Sequence, residues 1–81
     1  MENITYNEFI KKYGIAINGL SQRISSVNGF KITNERLAQK LYQDSINKQV
    51  DMNDMTMAVT NFYHGDVLGQ VKMNNYVEKY K

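Results

Sequence analysis

Eighty-one residues with a net charge of +2, no cysteine and no proline leave room for one hydrophobic core and one domain, residues 1–81. The missing cysteines exclude disulfides, thiolate metal sites and cysteine nucleophiles, and so small a net charge gives no argument for nucleic-acid binding by itself. No apolar run approaches membrane-spanning length and no N-terminal run has the form of a signal peptide, so the expected place is the cytoplasm of a bacterial host.

Thr5-Tyr6-Asn7-Glu8 has the form of a capping box, a hydroxyl followed three residues later by a carboxylate that reaches back to the cap amide. It predicts a helix over Tyr6 to Tyr13 with Phe9, Ile10 and Tyr13 on one face. Gly14 reads as its stop, Ile15 to Ile17 as a short apolar connector, and Asn18 as the cap of a second helix over Gly19 to Val27 with Leu20, Ile24 and Val27 inward. Asn28-Gly29 signals a turn, and Phe30 to Ile32 a brief extended run.

The most legible stretch is Thr33 to Val50. Leu37, Ala38, Leu41, Tyr42, Ile46 and Val50 make one helical stripe, the residues between are polar, and Thr33 is a suitable N-cap. Asp51 or Asn53 caps the next helix, in which Met52, Met55, Val59 and Phe62 form the stripe, Ala58 and Tyr63 flank it, and Gly65 ends it. The tail is ambiguous in period: Val67, Gly69, Val71 and Met73 alternate as in a strand, whereas Met73, Tyr76, Val77 and Tyr80 suit a helix. One straight helix over Asp66 to Tyr80 points these two groups in nearly opposite directions, so either it breaks near Asn74-Asn75 or both faces are covered. Helix is the favoured reading. The expected fold is therefore all-α, a compact bundle of four to five short helices, with a short extended segment near 30–32 or 67–73 as the minor addition.

Charge is uneven along the chain. Residues 1–40 carry six Lys and Arg against three Glu, a net of +3, and residues 41–81 carry four against five, a net of −1. Abundant Asn, Lys, Ile and Tyr with scarce Ala point to AT-rich codons, common in low-GC bacteria, their phages and mobile elements. The residues for catalysis are few. His64 is the single histidine and sits at a helix C-terminus, where its partial positive charge suits the carbonyl dipole. Asp44, Asp51 and Asp54 lack the glycine and terminal glutamate of a calcium loop, and capping accounts for them better. No HExxH spacing, phosphate-cradling glycine loop or serine elbow is present. The expectation is a non-enzyme with neither cofactor nor metal.

Residues 8–26, EFIKKYGIAINGLSQRISS, resemble a helix-turn-helix motif: Phe9 and Ile10 in the first helix, Gly14 at the turn, Leu20 and Ile24 in the second. The resemblance implies a regulator that binds duplex DNA, with Asn18, Gln22, Arg23, Ser25 and Ser26 towards base edges or phosphates and Lys11, Lys12 and Lys31 on phosphates. A second echo opens at Thr33, with Ala38 as the small residue. The helix that follows it has no Lys or Arg, so this pair reads as scaffold. The alternative is a protein-binding inhibitor of a host nucleic-acid enzyme, of an anti-CRISPR-like or other anti-defence type. Its face would carry Met57, Asn61, Tyr63, Tyr76 and Tyr80, large side chains suited to interfaces. A homodimer is the third expectation.

Overall fold

Thr5 starts the first helix as its sequence predicts, and Glu8 closes the box: the Thr5 hydroxyl accepts from the Glu8 amide while the Glu8 carboxylate accepts from the Thr5 amide at 3.2 Å. The helix that follows, α1 (Tyr6–Asn28), runs for 23 residues without interruption. This corrects the two-helix reading. Gly14 and Ile15 to Ile17 are helical, and Asn18 lies within the helix instead of capping one.

The physical reason is visible along the chain. Phe9, Tyr13, Ala16, Ile17, Leu20 and Ile24 keep steps of one, three and four straight across Gly14, so a single helix buries them on one face. A mid-helix glycine costs about 1 kcal/mol relative to alanine. Burying each large apolar side chain returns about 1.5–3 kcal/mol, and the stripe wins. At 1.5 Å per residue α1 is about 34 Å long, the full long dimension of the 34 × 25 × 20 Å molecule. It ends at Gly29, whose φ of 75° is the left-handed conformation that only glycine takes without strain, and whose amide bonds the Ser25 carbonyl.

The remaining helices are α2 (Asn34–Ile46), α3 (Met52–Tyr63) and α4 (Val67–Tyr80). The coordinates, a computed structural model, describe residues 4–29 and 31–81 and contain no strand among them. Of the extended run expected near 30–32, Phe30 lies outside the described residues, and the one expected near 67–73 is helical. Thr33 caps α2 by accepting from the Arg36 amide. That helix stops at Ile46, short of Val50, in a turn where Lys48 takes a φ of 59°. Asp51, not Asn53, caps α3, accepting from the amides of Asn53 and Asp54. The tail is one unbroken helix, with no break at Asn74-Asn75.

All three later helices dock on α1, and α3 and α4 are the most closely packed pair. α2 and α3 both lean on α1 and have no extensive contact with each other, so the second echo does not form a packed helix pair. Phe9, Leu20, Ile24, Leu37, Leu41, Met55 and Met73 are the large side chains sealed in the centre. α3 and α4 approach so closely at Gly69 that a Cβ there would sit 2.6 Å from the Phe62 amide nitrogen and the Asn61 Cβ. Among the described residues, no helix is long and apolar enough to cross a membrane.

Candidate functional site

α1 presents one polar strip to solvent. Lys11, Ile15, Asn18, Gln22 and Ser26 recur every three or four residues and are all exposed, with Ile15 the most open large apolar side chain at 92%. Beside the C-terminal half of this strip lies an open groove of about 820 Å³, floored by α1 and walled by the segment that leads into α2. Of the residues predicted to meet DNA, Asn18, Gln22, Ser25, Ser26 and Lys31 line it.

Much of that polar lining is spent on joining α1 to α2. The Asn34 amide donates to Asn18 Oδ1 at 2.9 Å, and the Ser21 hydroxyl reaches both the Asn18 carbonyl and the Asn34 side chain. Ser25 donates to the Ser21 carbonyl at 3.0 Å and accepts from the Ile32 amide at 3.2 Å. The described hydrogen bonds leave Gln22, Ser26 and Lys31 unengaged.

The helix-turn-helix geometry is absent, because its turn is the middle of α1. A helix-turn-helix needs its second helix to stand clear of the first and enter the major groove. Here both halves share one axis, and α2 and α3 pack on that axis. Arg23 does not join the strip: its guanidinium stacks 4.9 Å from the Phe62 ring centroid, and the side chain is half-buried. Lys12 turns beside Tyr13, 5.4 Å from that ring.

The tyrosines assigned to a protein face divide. Tyr80 is 4% exposed and donates to Asp44 at 2.7 Å; Tyr76 is half-buried and donates to Asp54. Both fasten α4 to elements far back in the chain and are part of the internal packing. Burial above all, and then the facing carboxylate, push both phenols well above their usual 10.0. The Tyr76 hydroxyl and then the Lys72 ammonium, 3.0 Å away, hold the Asp54 carboxyl below its usual 3.8. Tyr63 keeps an exposed ring but donates to the Gly19 carbonyl at 3.0 Å, locking α3 to α1. Asn61 is half-buried where Gly69 presses on it. Met57 alone is free, 63% exposed on the outer side of α3. His64 is the exposed C-cap residue of α3.

These shifts set the pH response. Asp54 contributes stability above about pH 3.8 that is lost as acid protonates it, and the two tyrosines contribute stability below about pH 10 that is lost as alkali ionises them. Thermal melts across pH should therefore show a plateau with an acid and an alkaline limb, and Tyr80→Phe should flatten the alkaline one. An alkaline limb unchanged in Tyr80→Phe and Tyr76→Phe would refute the assignment.

What sequence reading missed is the outer face of α4. Gly69, Met73, Val77 and Tyr80 point inward, and Val67, Leu68 and Val71 point out at 74%, 63% and 53% exposure. The signal was present, since the sequence placed two apolar groups on opposite sides of one helix and so required both faces to be covered. The fold covers one. Among the described residues, no three His, Asp or Glu side chains gather as metal ligands would.

No protein-family model, curated protein or solved structure matches this chain.

Proposed function

We propose that this chain is a non-enzymatic binding protein that works through contact between the outer face of α4 and another protein chain. One observation carries the reading: α4 is apolar on two opposite sides, and its own fold buries only one of them. Scattered exposed apolar residues are ordinary, but three on adjacent turns of one helix form the kind of patch that marks an interaction site. A small chain with such a face acts by occupying a surface, as an inhibitor or adaptor of a host nucleic-acid enzyme does.

Duplex DNA is the second reading. It is favoured by the gathering of Asn18, Gln22, Ser26 and Lys31 around one groove, with Lys11 further along the same strip of α1. It ranks second because that site is concave and bounded by packed helices, whereas reading the major groove needs a protruding element.

Placing a photo-reactive benzoylphenylalanine at position 71, and separately at position 22, separates the two in the producing cell. The expected result is a protein adduct from position 71 that disappears in the Leu68→Glu background. Alongside it, the purified chain should show no affinity for mixed duplex DNA by fluorescence anisotropy. A nucleic-acid adduct from position 22, with DNA affinity that falls steeply with salt and is weakened by Lys31→Ala, would replace the first reading with the second.

A further inference from the structure

The dipeptide Asn-Gly occurs twice, at Asn18-Gly19 and Asn28-Gly29, and both pairs belong to α1 and its cap. Asparagine before glycine is prone to deamidation, because the glycine has no side chain to shield its amide nitrogen. That nitrogen gives its proton to hydroxide and attacks the asparagine Cγ. The N–Cγ bond forms, the Cγ–Nδ2 bond breaks, and the side-chain nitrogen takes a proton from water and leaves as ammonia. Water then opens the cyclic imide at either carbonyl, leaving aspartate or isoaspartate. Water is the only co-reactant, so the chain itself supplies the rest. Backbone geometry decides the rate: the asparagine ψ must leave the helical range, and the glycine amide must give up its own hydrogen bond.

The two pairs meet these conditions unequally. Asn18-Gly19 lies in the interior of α1 and is held by its neighbours. Asn18 Oδ1 accepts from the Asn34 amide at 2.9 Å, and the Gly19 carbonyl accepts from the Tyr63 hydroxyl at 3.0 Å. A Cβ on Gly19 would stand 2.9 Å from Val59 and 3.1 Å from Tyr63. Rotating ψ there breaks α1 in its middle and gives up these contacts with α2 and α3.

Asn28-Gly29 is the end of the helix. Asn28 is the final helical residue, and the Gly29 amide is held by the Ser25 carbonyl at 3.0 Å. Nothing lies within 4 Å of where a Gly29 Cβ would stand, so the imide ring has room. Asn28 Nδ2 is buried with no hydrogen-bond partner among the described residues. A buried donor left unpaired costs free energy that opening to water returns. Helix ends also open at lower free energy than packed interiors.

We propose that Asn28 is a self-modifying site that deamidates in the folded chain through fraying of the last turn of α1. Asn18, in the identical dipeptide, is spared until the whole domain unfolds. Ser25, Ser26, Gly29 and Lys31 line the groove beside this turn. Each event therefore adds a carboxylate at the edge of that groove and lowers the net charge of +2 by one. The new charge stands at the negative end of the α1 dipole, which disfavours the closed turn. The change accumulates with time and does not reverse on its own.

Peptide mapping by mass spectrometry, on the purified chain aged in mildly alkaline buffer, tests the proposal. Trypsin cleaves after Lys12, Arg23 and Lys31, so residues 13–23 carry Asn18 and residues 24–31 carry Asn28, each as the one asparagine of its peptide. In the folded chain, 24–31 should show the amide-to-acid mass change at least about tenfold faster than 13–23. In unfolding urea the two should convert at similar rates, both faster than in the folded chain. Asn28→Gln, whose longer side chain closes a ring far less readily, should leave 24–31 unconverted with the melt of the parent. Equal rates in the folded chain, or conversion of 13–23 first, overturns the proposal. So does a folded chain in which neither peptide converts, whether or not both convert in urea.

Discussion

Gly69→Ala is expected to lower the melting temperature by about 10–20 °C, against the direction that helix propensity alone gives. Alanine in a helix interior is favoured over glycine by about 1 kcal/mol. At Gly69 the new methyl would stand 2.6 Å from the Phe62 amide nitrogen and 2.7 Å from the Asn61 carbonyl carbon. These are backbone atoms of a packed helix and cannot rotate away, so α3 and α4 must separate along their length. Overpacking of this kind costs about 1–3 kcal/mol or more, and each kcal/mol moves the melt of a chain this size by roughly 4–8 °C. The contrast is Gly14→Ala. Nothing lies within 4 Å of a Cβ there, so the propensity gain stands alone and the melt should rise by a few degrees. Circular-dichroism melts of the two variants give the answer. A loss at Gly14 would mean that the chain leaves the helix there, as the two-helix reading requires, and a neutral Gly69→Ala would mean that α3 and α4 are not in close contact.

Phe9→Ala should cost about 3–5 kcal/mol, the usual penalty for emptying a buried aromatic site. The ring is sealed and meets Tyr13 and Tyr42 edge-to-face at centroid distances of 5.1 and 5.2 Å, while Tyr42 meets Tyr6 at 5.3 Å. Tyr42 in turn donates to the Ile4 carbonyl at 2.8 Å, so this cluster ties the start of the described chain to α2. At about 0.05–0.15 kcal/mol per residue the whole domain holds on the order of 4–12 kcal/mol, so the loss takes a large share of the total. Urea unfolding should show the midpoint falling by a third or more, with Phe9→Leu losing much less. Equal losses for the two variants would mean that the ring contacts, and not the volume filled, carry the cost.

Four helix ends were legible in the sequence because their capping uses chemistry within four residues, whereas the stop read at Gly14 and the cap read at Asn18 lie inside α1. Thr5 with Glu8, Thr33, Asp51 and Gly29 each act where a local reading places them. The inward stripes of α2 and α3 were legible for the related reason that period alone assigns a face. The candidate site was far less so. Asn18, Gln22, Ser26 and Lys31 do meet around one groove, but on one helix and its following segment, and Arg23 is withdrawn to Phe62. The reading of Tyr76 and Tyr80 as surface anchors failed because their partners, Asp54 and Asp44, lie 22 and 36 residues earlier. No local pattern carries that information.

By itself the sequence determined the helical class, most of the caps, and the fact that α4 is apolar on two sides. Tertiary structure decided the rest. Whether Gly14 stops a helix depends on the sum of burial along the whole of α1, which outweighs a local cost of about 1 kcal/mol. Whether a face of α4 is covered depends on how many neighbours the fold can bring to it, and α1 and α3 reach only its inner side. The outer side, with Val67, Leu68 and Val71, stays exposed to solvent.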